Sequence, residues 1–261
     1  MTAPLAFRLL GHGIAYSVSP AMQNAAFTVL GLPHRYAIAD VAPEEVDAAV
    51  AALREPGIGG ANVTTPHKLA VAERCDELSA DAALLGSVNC VVPHDGRLTG
   101  HNTDLPAIVD ELRALRPDGV GRAVLLGGGG AGRAVVEALA RAGATEIITL
   151  QRRDGSWARL GDELATADLV VNATPVGTGS DESPVPVELL RPGLAVFDLV
   201  YRPSPTRLVR DARAAGAPAR SGAGMLLGQG WRSLELWLGV AAPVDVMREA
   251  LRDALGGTAD V

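Results

Sequence analysis

The stretch Val124-Leu125-Leu126-Gly127-Gly128-Gly129-Gly130-Ala131-Gly132-Arg133-Ala134 limits the folds open to this chain more than any other. An apolar run ends in glycines, and Gly127, Gly129 and Gly132 stand at the spacing of a dinucleotide fingerprint. A helix is predicted from Ala131 to Ala142 and a strand from Glu146 to Leu150, which makes a strand–helix–strand unit. Glycines let the backbone approach a pyrophosphate, and the following helix offers unpaired N–H groups with a partial positive charge. The competing reading is a tight strand-to-helix turn with no ligand.

A second stretch carries chemistry of another kind. Gly60-Ala61-Asn62-Val63-Thr64-Thr65-Pro66-His67-Lys68 runs from small apolar residues into two hydroxyls, a proline and one lysine. That is how a buried strand delivers polar groups to the rim of a cleft. Lys68 on such a turn is a candidate proton donor, since burial lowers an ammonium pKa towards neutrality. Its plain alternative is a surface lysine opening a helix from Leu69 to Cys75. Downstream, Asp104 ahead of a helix from Pro106 to Leu115 reads as a helix-start carboxylate stabilised by the dipole. A carboxylate facing Lys68 would also pair with it and tune its proton affinity.

The remaining elements follow from periodicity and punctuation. Strands are predicted over Leu5–Leu10, Tyr36–Ala39, Gly57–Val63, Ser87–Val92, Asp168–Asn172 and Ala195–Leu199. Ser19-Pro20 reads as the start of a helix, with serine as N-cap and Gly31 closing it, whereas Ser17 has no capping need. Two hydroxyls beside a helix N-terminus suit a small carboxylate, and a purely structural pair is the alternative. Asn89 falls inside a predicted strand, where its amide must pair with backbone or with a ligand. Pro43-Glu44-Glu45 opens a helix that puts Val46, Val50 and Leu53 on one face. The connection Asp154–Thr166 is short, so one strand–helix unit is expected to be clipped. Trp231, Leu234 and Trp237 fit a packed stripe on a long helix ending at Leu238, and a last helix runs from Pro243 to Leu255.

After the strand ending at Leu150 come Gln151-Arg152-Arg153-Asp154. An acid at such a tip suits ribose hydroxyls and arginines suit a 2′-phosphate, so both NAD and NADP stay open from the residues alone. The 261 residues are enough for two ordinary cores, and 48% apolar with 3% aromatic content points to aliphatic α/β packing. A net charge of −7 argues against a nucleic-acid or anionic-membrane surface. No apolar run is long enough to cross a bilayer, no signal segment is expected, and Cys75 and Cys90 show neither framework nor metal spacing. A cytoplasmic chain without a metal is the expectation.

Taken together in order, these motifs resemble the shikimate dehydrogenase family over nearly the whole length. The matching stretches are Ser17-Val18-Ser19-Pro20 with Asn24, Asn62 to Lys68, Gly86-Ser87-Val88-Asn89, Asn102-Thr103-Asp104, the glycine loop, Asn172-Ala173-Thr174, Tyr201-Arg202-Pro203 and Gly224 to Gln229. The resemblance implies an α/β fold: an N-terminal open α/β substrate domain, a Rossmann-like NAD(P)-binding domain, and a cleft between them. It places the substrate domain at 1–103 with returning C-terminal helices at 224–261, and the dinucleotide-binding domain at 104–223.

The resemblance further implies that Lys68 and Asp104 are the catalytic pair. Ser17, Ser19 and Tyr201 would hold the substrate carboxylate, and Thr64, Asn89 and Gln229 the ring hydroxyls. Gly127, Gly128, Gly129, Gly130 and Ala131 would take the pyrophosphate, Arg152, Arg153 and Asp154 the adenosine ribose end, and the backbone near Leu199 and Gly222 the nicotinamide. The implied reaction is reversible reduction of 3-dehydroshikimate to shikimate with NADPH, by a monomer or homodimer. Gln23 in place of the family's histidine, together with Arg152-Arg153-Asp154, is more similar to the quinate/shikimate dehydrogenase branch. That makes a quinate/shikimate enzyme using NAD the alternative, beside a non-catalytic dinucleotide-sensing protein.

Overall fold

The computed structural model describes residues 3–257, apart from the side chains of Gly130 and Ala131. It divides into two compact units, one through Asp104 and again from Leu227 to Ala254, the other from Leu105 to Leu226.

The first unit is built on β1 (Ala6–Gly11), α1 (Ser19–Val29), β2 (Arg35–Asp40), α2 (Val46–Ala52), β3 (Ile58–Val63), α3 (Lys68–Ala72), β4 (Glu77–Leu78), α4 (Ala80–Leu85), β5 (Cys90–His94) and β6 (Arg97–His101). Its sheet runs in the order β2-β1-β3-β5-β6-β4, with β5 antiparallel to both neighbours. The hairpin joining β5 to β6 turns at Asp95-Gly96, both with positive φ, which is the tight-turn chemistry of that dipeptide. On one sheet face Val46, Val50, Val71 and Val88 pack against Leu10, Ala61 and Val63. On an aromatic side Phe7 meets Phe27 at 4.9 Å and Trp237 at 5.0 Å between ring centroids. Gly59 and Gly60 on β3 leave room for those rings, because a Cβ would stand 2.3 Å from Phe7 and 2.3 Å from Trp237 respectively.

The second unit contains most of α5 (Asp104–Leu115), then β7 (Gly121–Leu126), α6 (Gly130–Arg141), β8 (Ala144–Leu150), α7 (Leu160–Thr166), β9 (Leu169–Asn172), β10 (Ala195–Asp198), α8 (Arg207–Ala214), β11 (Ala219–Ser221) and the first turn of α9 (Ala223–Leu238). The rest of α9 and α10 (Val244–Ala254) belong to the first unit. Its sheet order is β11-β10-β9-β7-β8, all parallel, and the chain reverses direction across the sheet at β7. β7 reads Ala123-Val124-Leu125-Leu126, every residue fully buried, as a parallel strand covered on both faces requires. Leu150, Leu126, Asn172, Asp198 and Ser221 share one register row across the C-terminal edge.

Four local expectations need correction. Ser19 is the first residue of α1 and Val18 its cap; the hydroxyl of Ser17 instead accepts from the Ser19 N–H at 3.3 Å. The strand predicted from Ser87 begins at Cys90, because Ser87-Val88-Asn89 is a lead-in held by Val88 N–H donating to the Lys68 carbonyl at 3.0 Å. The connection Asp154–Thr166 is not clipped to a loop; it carries α7 and leads directly to β9. Of the tryptophan stripe only Leu234 is fully buried, while Trp231 lies half-buried under the Arg232 guanidinium at 4.0 Å. Among the described residues, no helix is long and apolar enough to cross a membrane, and no cluster of His, Cys, Asp and Glu is gathered to hold a metal.

Candidate active site

Strand direction assembles the first cluster. β3 and β6 both end at the same edge, while antiparallel β5 starts there, so Lys68, Asn89 and Asp104 converge from three separate segments. Lys68 Nζ donates to Asp104 Oδ2 at 2.5 Å. The lysine side chain keeps 23% of its surface exposed and the aspartate 9%, so the pair is largely buried with the lysine the more open of the two. Asp104 is also the first residue of α5, where the helix dipole favours its negative charge. The two readings of Asp104 are therefore compatible.

Asn89 is the brace of this cluster. Its Nδ2 donates to Asp104 Oδ1 at 2.8 Å and to Thr103 Oγ1 at 2.9 Å, while its Oδ1 accepts the Thr103 N–H at 2.7 Å. The Asp104 carboxylate is thus fixed through both oxygens. Thr103 Oγ1 also donates to the carbonyl of Gln229 at 3.1 Å, tying α9 to the same point. Behind them, Asn62 donates to the Asn89 carbonyl and to Ser233 Oγ, and accepts from the Tyr36 hydroxyl at 2.9 Å. Burial pushes that hydroxyl well above the usual tyrosine range, which keeps it a donor. His67, buried beside Lys68, is hydrogen-bonded through Nε2 to the Val41 carbonyl at 2.7 Å, and so anchors the start of α3. Thr103, Asn62 and Tyr36 carry this network, and none was singled out for a role in the sequence; Thr103 and Asn62 were at least visible as polar residues inside motif stretches.

Other expected substrate residues are distributed as follows. Ser17 and Ser19 lie together at the start of α1, hydroxyl to hydroxyl at 3.2 Å, with Ser19 buried. Thr64 follows β3 and bonds through its N–H to the Leu10 carbonyl. Tyr201 belongs to the second unit, in the loop after β10.

The second unit presents backbone where the first presents side chains. Gly127 turns the chain out of β7 with φ +99°, and a Cβ there would stand 3.0 Å from Thr174 and 3.2 Å from the Ala173 carbonyl. Gly129 caps α6 and has open space where a side chain would be. A bare helix N-terminus behind a glycine turn, at the point where strand order reverses, is a cradle that fits a pyrophosphate. Gly130 and Ala131 form the first turn of α6, with their side chains outside the described residues. Gly222 lies so close to Leu199 that a Cβ would be 2.1 Å from its carbonyl oxygen.

At the tip after β8, Arg152, Arg153 and Asp154 are all exposed. Arg152 lies 4.9 Å over the Trp157 ring and Arg153 donates to Gln151. Asp154 accepts from the N–H and hydroxyl of Ser156, and those bonds hold its carboxyl below the usual range. The acid is engaged inside its own loop, and the two exposed arginines beside it are cations of the kind that suits a 2′-phosphate.

The family described as shikimate dehydrogenase substrate binding domain matches residues 9–91, and shikimate 5′-dehydrogenase C-terminal domain matches 222–252. A shikimate dehydrogenase (NADP(+)) of Methanopyrus kandleri is 45% identical, over 95% of this chain and 94% of that one. The chain belongs to the shikimate dehydrogenase family. Within that family, a solved shikimate 5-dehydrogenase of Thermus thermophilus in complex with NADP(H) and shikimate is 39% identical, covering 96% of this chain and 100% of the other with a TM-score of 0.85. A quinate dehydrogenase of Corynebacterium glutamicum in complex with NAD has a similar TM-score of 0.86 over 96% and 100% of the two chains, but only 29% identity. Fold does not separate the two branches; sequence sides with the shikimate enzymes.

Proposed function

We propose that this chain catalyses the reversible reduction of 3-dehydroshikimate to shikimate with NADPH. The observation that carries the reading is the Lys68–Asp104 pair with Asn89 locking the free carboxylate oxygen. Bound NADPH supplies the hydride to the ring carbonyl carbon. Lys68 gives the carbonyl oxygen its proton as negative charge develops there, and takes it back in the oxidative direction. Asp104 holds the ammonium in place and accepts a hydrogen bond from a neighbouring ring hydroxyl. Ser17 and Ser19 receive the carboxylate beside the start of α1, with Tyr201, and Thr64 and Gln229 orient the ring. The glycine turn and the start of α6 hold the pyrophosphate, Arg152 and Arg153 the 2′-phosphate, and the backbone at Leu199 and Gly222 the nicotinamide.

Steady-state rates for shikimate and quinate, each with NADP and NAD, test this directly. The expected result is a kcat/KM highest for shikimate with NADP. A preference for quinate with NAD overturns it, and dinucleotide binding with no turnover of either acid returns the chain to a sensor.

A further inference from the structure

The register row at the C-terminal edge of the second sheet holds two adjacent polar side chains, Asn172 and Asp198, both with no exposed surface. Asp198 ends the apolar strand Ala195-Val196-Phe197. Its Oδ1 accepts from Asn172 Nδ2 at 2.9 Å and from the Val200 N–H at 3.1 Å, and its Oδ2 accepts from Thr206 Oγ1 at 2.7 Å. Asn172 Oδ1 in turn accepts from the N–H of Thr174 at 3.0 Å and from its hydroxyl at 2.6 Å. One carboxylate therefore binds the loop after β9, the loop after β10 and the first turn of α8.

Those loops carry the backbone packed against the glycine turn and against Gly222. Ala173 and Thr174 flank Gly127, and Leu199 is the residue whose carbonyl Gly222 approaches. We propose that Asp198 is a positioning residue for the dinucleotide: its ionised carboxylate braces the backbone that receives the cofactor, without touching it. This rests on the reading of the second unit as the NADP-binding part.

All three bonds run into the carboxylate, so the ionised form accepts from every donor, and a proton taken up on Oδ2 reverses the Thr206 bond. The facing groups from β9, the loop after β10 and α8 are Asn172, Val200 and Thr206, all neutral, and no charged side chain contributes to the shift of Asp198 among the described residues. Burial pushes its carboxyl up to about 6 against those hydrogen bonds, which puts that reversal just below neutral pH. An amide at the same position can accept from Asn172 and Val200 and donate to Thr206, with no proton to gain.

The test is NADP binding to the full chain, by calorimetry at about pH 7.5 and 5.5, for wild type, Asp198→Asn, Asp198→Ala and Thr206→Val. The 2′-phosphate titrates in every variant, so the difference between variants isolates Asp198. Between the two pH values the wild type should lose about fourfold more affinity than Asp198→Asn, the factor expected when binding needs the ionised form. At pH 7.5 Asp198→Ala should weaken NADP roughly tenfold and Thr206→Val by less, with the KM for shikimate within about twofold. Equal pH responses in wild type and Asp198→Asn overturn the proposal even if Asp198→Ala fails to fold. A wild type that binds no NADP while all variants melt normally overturns the reading of the second unit instead.

Discussion

Both sheets gather polar residues at one edge, yet they treat them in opposite ways. In the first unit Lys68 and Asp104 pair with the lysine side chain still partly exposed. In the second, Asn172, Asp198 and Thr206 are wholly buried and what faces outward is glycine backbone and a helix start. Proton transfer needs a side chain that meets substrate, whereas a pyrophosphate is held by N–H groups whose position must be exact. Reactive side chains are displayed in one place, and bracing side chains are hidden in the other.

Substitutions should separate these two roles, beginning with the largest effect. Lys68→Ala removes the proposed proton donor and leaves Asp104 without its cation; kcat for shikimate should fall roughly 10²–10⁴-fold while NADP affinity stays within about twofold. Steady-state kinetics beside calorimetry check it. Retained turnover would take Lys68 out of the chemistry and dissolve the contrast.

The next effect belongs to the buried acid. Asp198 has a folded-state value near 6 against an ordinary 3.8, so the native state binds more protons and stability falls as pH rises through that window. That rise corresponds to roughly 3 kcal/mol, an ionisation cost carried at neutral pH that Asp198→Asn avoids. Denaturation midpoints measured from about pH 4 to 8 should fall more steeply with pH for the wild type than for Asp198→Asn. Parallel curves would mean that the carboxylate is not held as described.

Gly222→Ala comes third. A Cβ 2.1 Å from the Leu199 carbonyl forces backbone apart, which costs ~1–3 kcal/mol as overpacking does and should weaken NADP while sparing shikimate. Thermal melts and NADP titration read both. Smallest is Thr103→Val, which removes the hydroxyl between Asn89 and the Gln229 carbonyl; about 1–2 kcal/mol of stability and a severalfold rise in shikimate KM are expected. An unchanged shikimate KM would show that Thr103 does not hold the site.

Much of this was readable in advance, and for physical reasons. β7, the glycine turn and α6 announce themselves because a parallel strand covered on both faces must be apolar throughout and the turn after it needs residues without Cβ. Lys68 was legible as the polar end of an apolar run, and Asp104 as a helix-start carboxylate able to face it. The strand that brings them together was not, since Ser87–Val92 carries no mark of running antiparallel and the Asp95-Gly96 hairpin signal stands beside Pro93. The cap of α1 was placed one residue late because Ser-Pro reads as a start wherever it falls, while the preceding Ser17 supplies the acceptor. Asp198 falls inside the strand predicted over Ala195–Leu199, where a lone carboxylate among Val, Phe and Leu is the signal of a buried, bonded acid.

The central claim is that Lys68 and Asp104 act as one chemical unit. A double-mutant cycle in kcat/KM for shikimate, using Lys68→Met, Asp104→Asn and the pair together, measures this directly. The account predicts that the double variant is scarcely slower than Lys68→Met alone. Losses that simply multiply would contradict it.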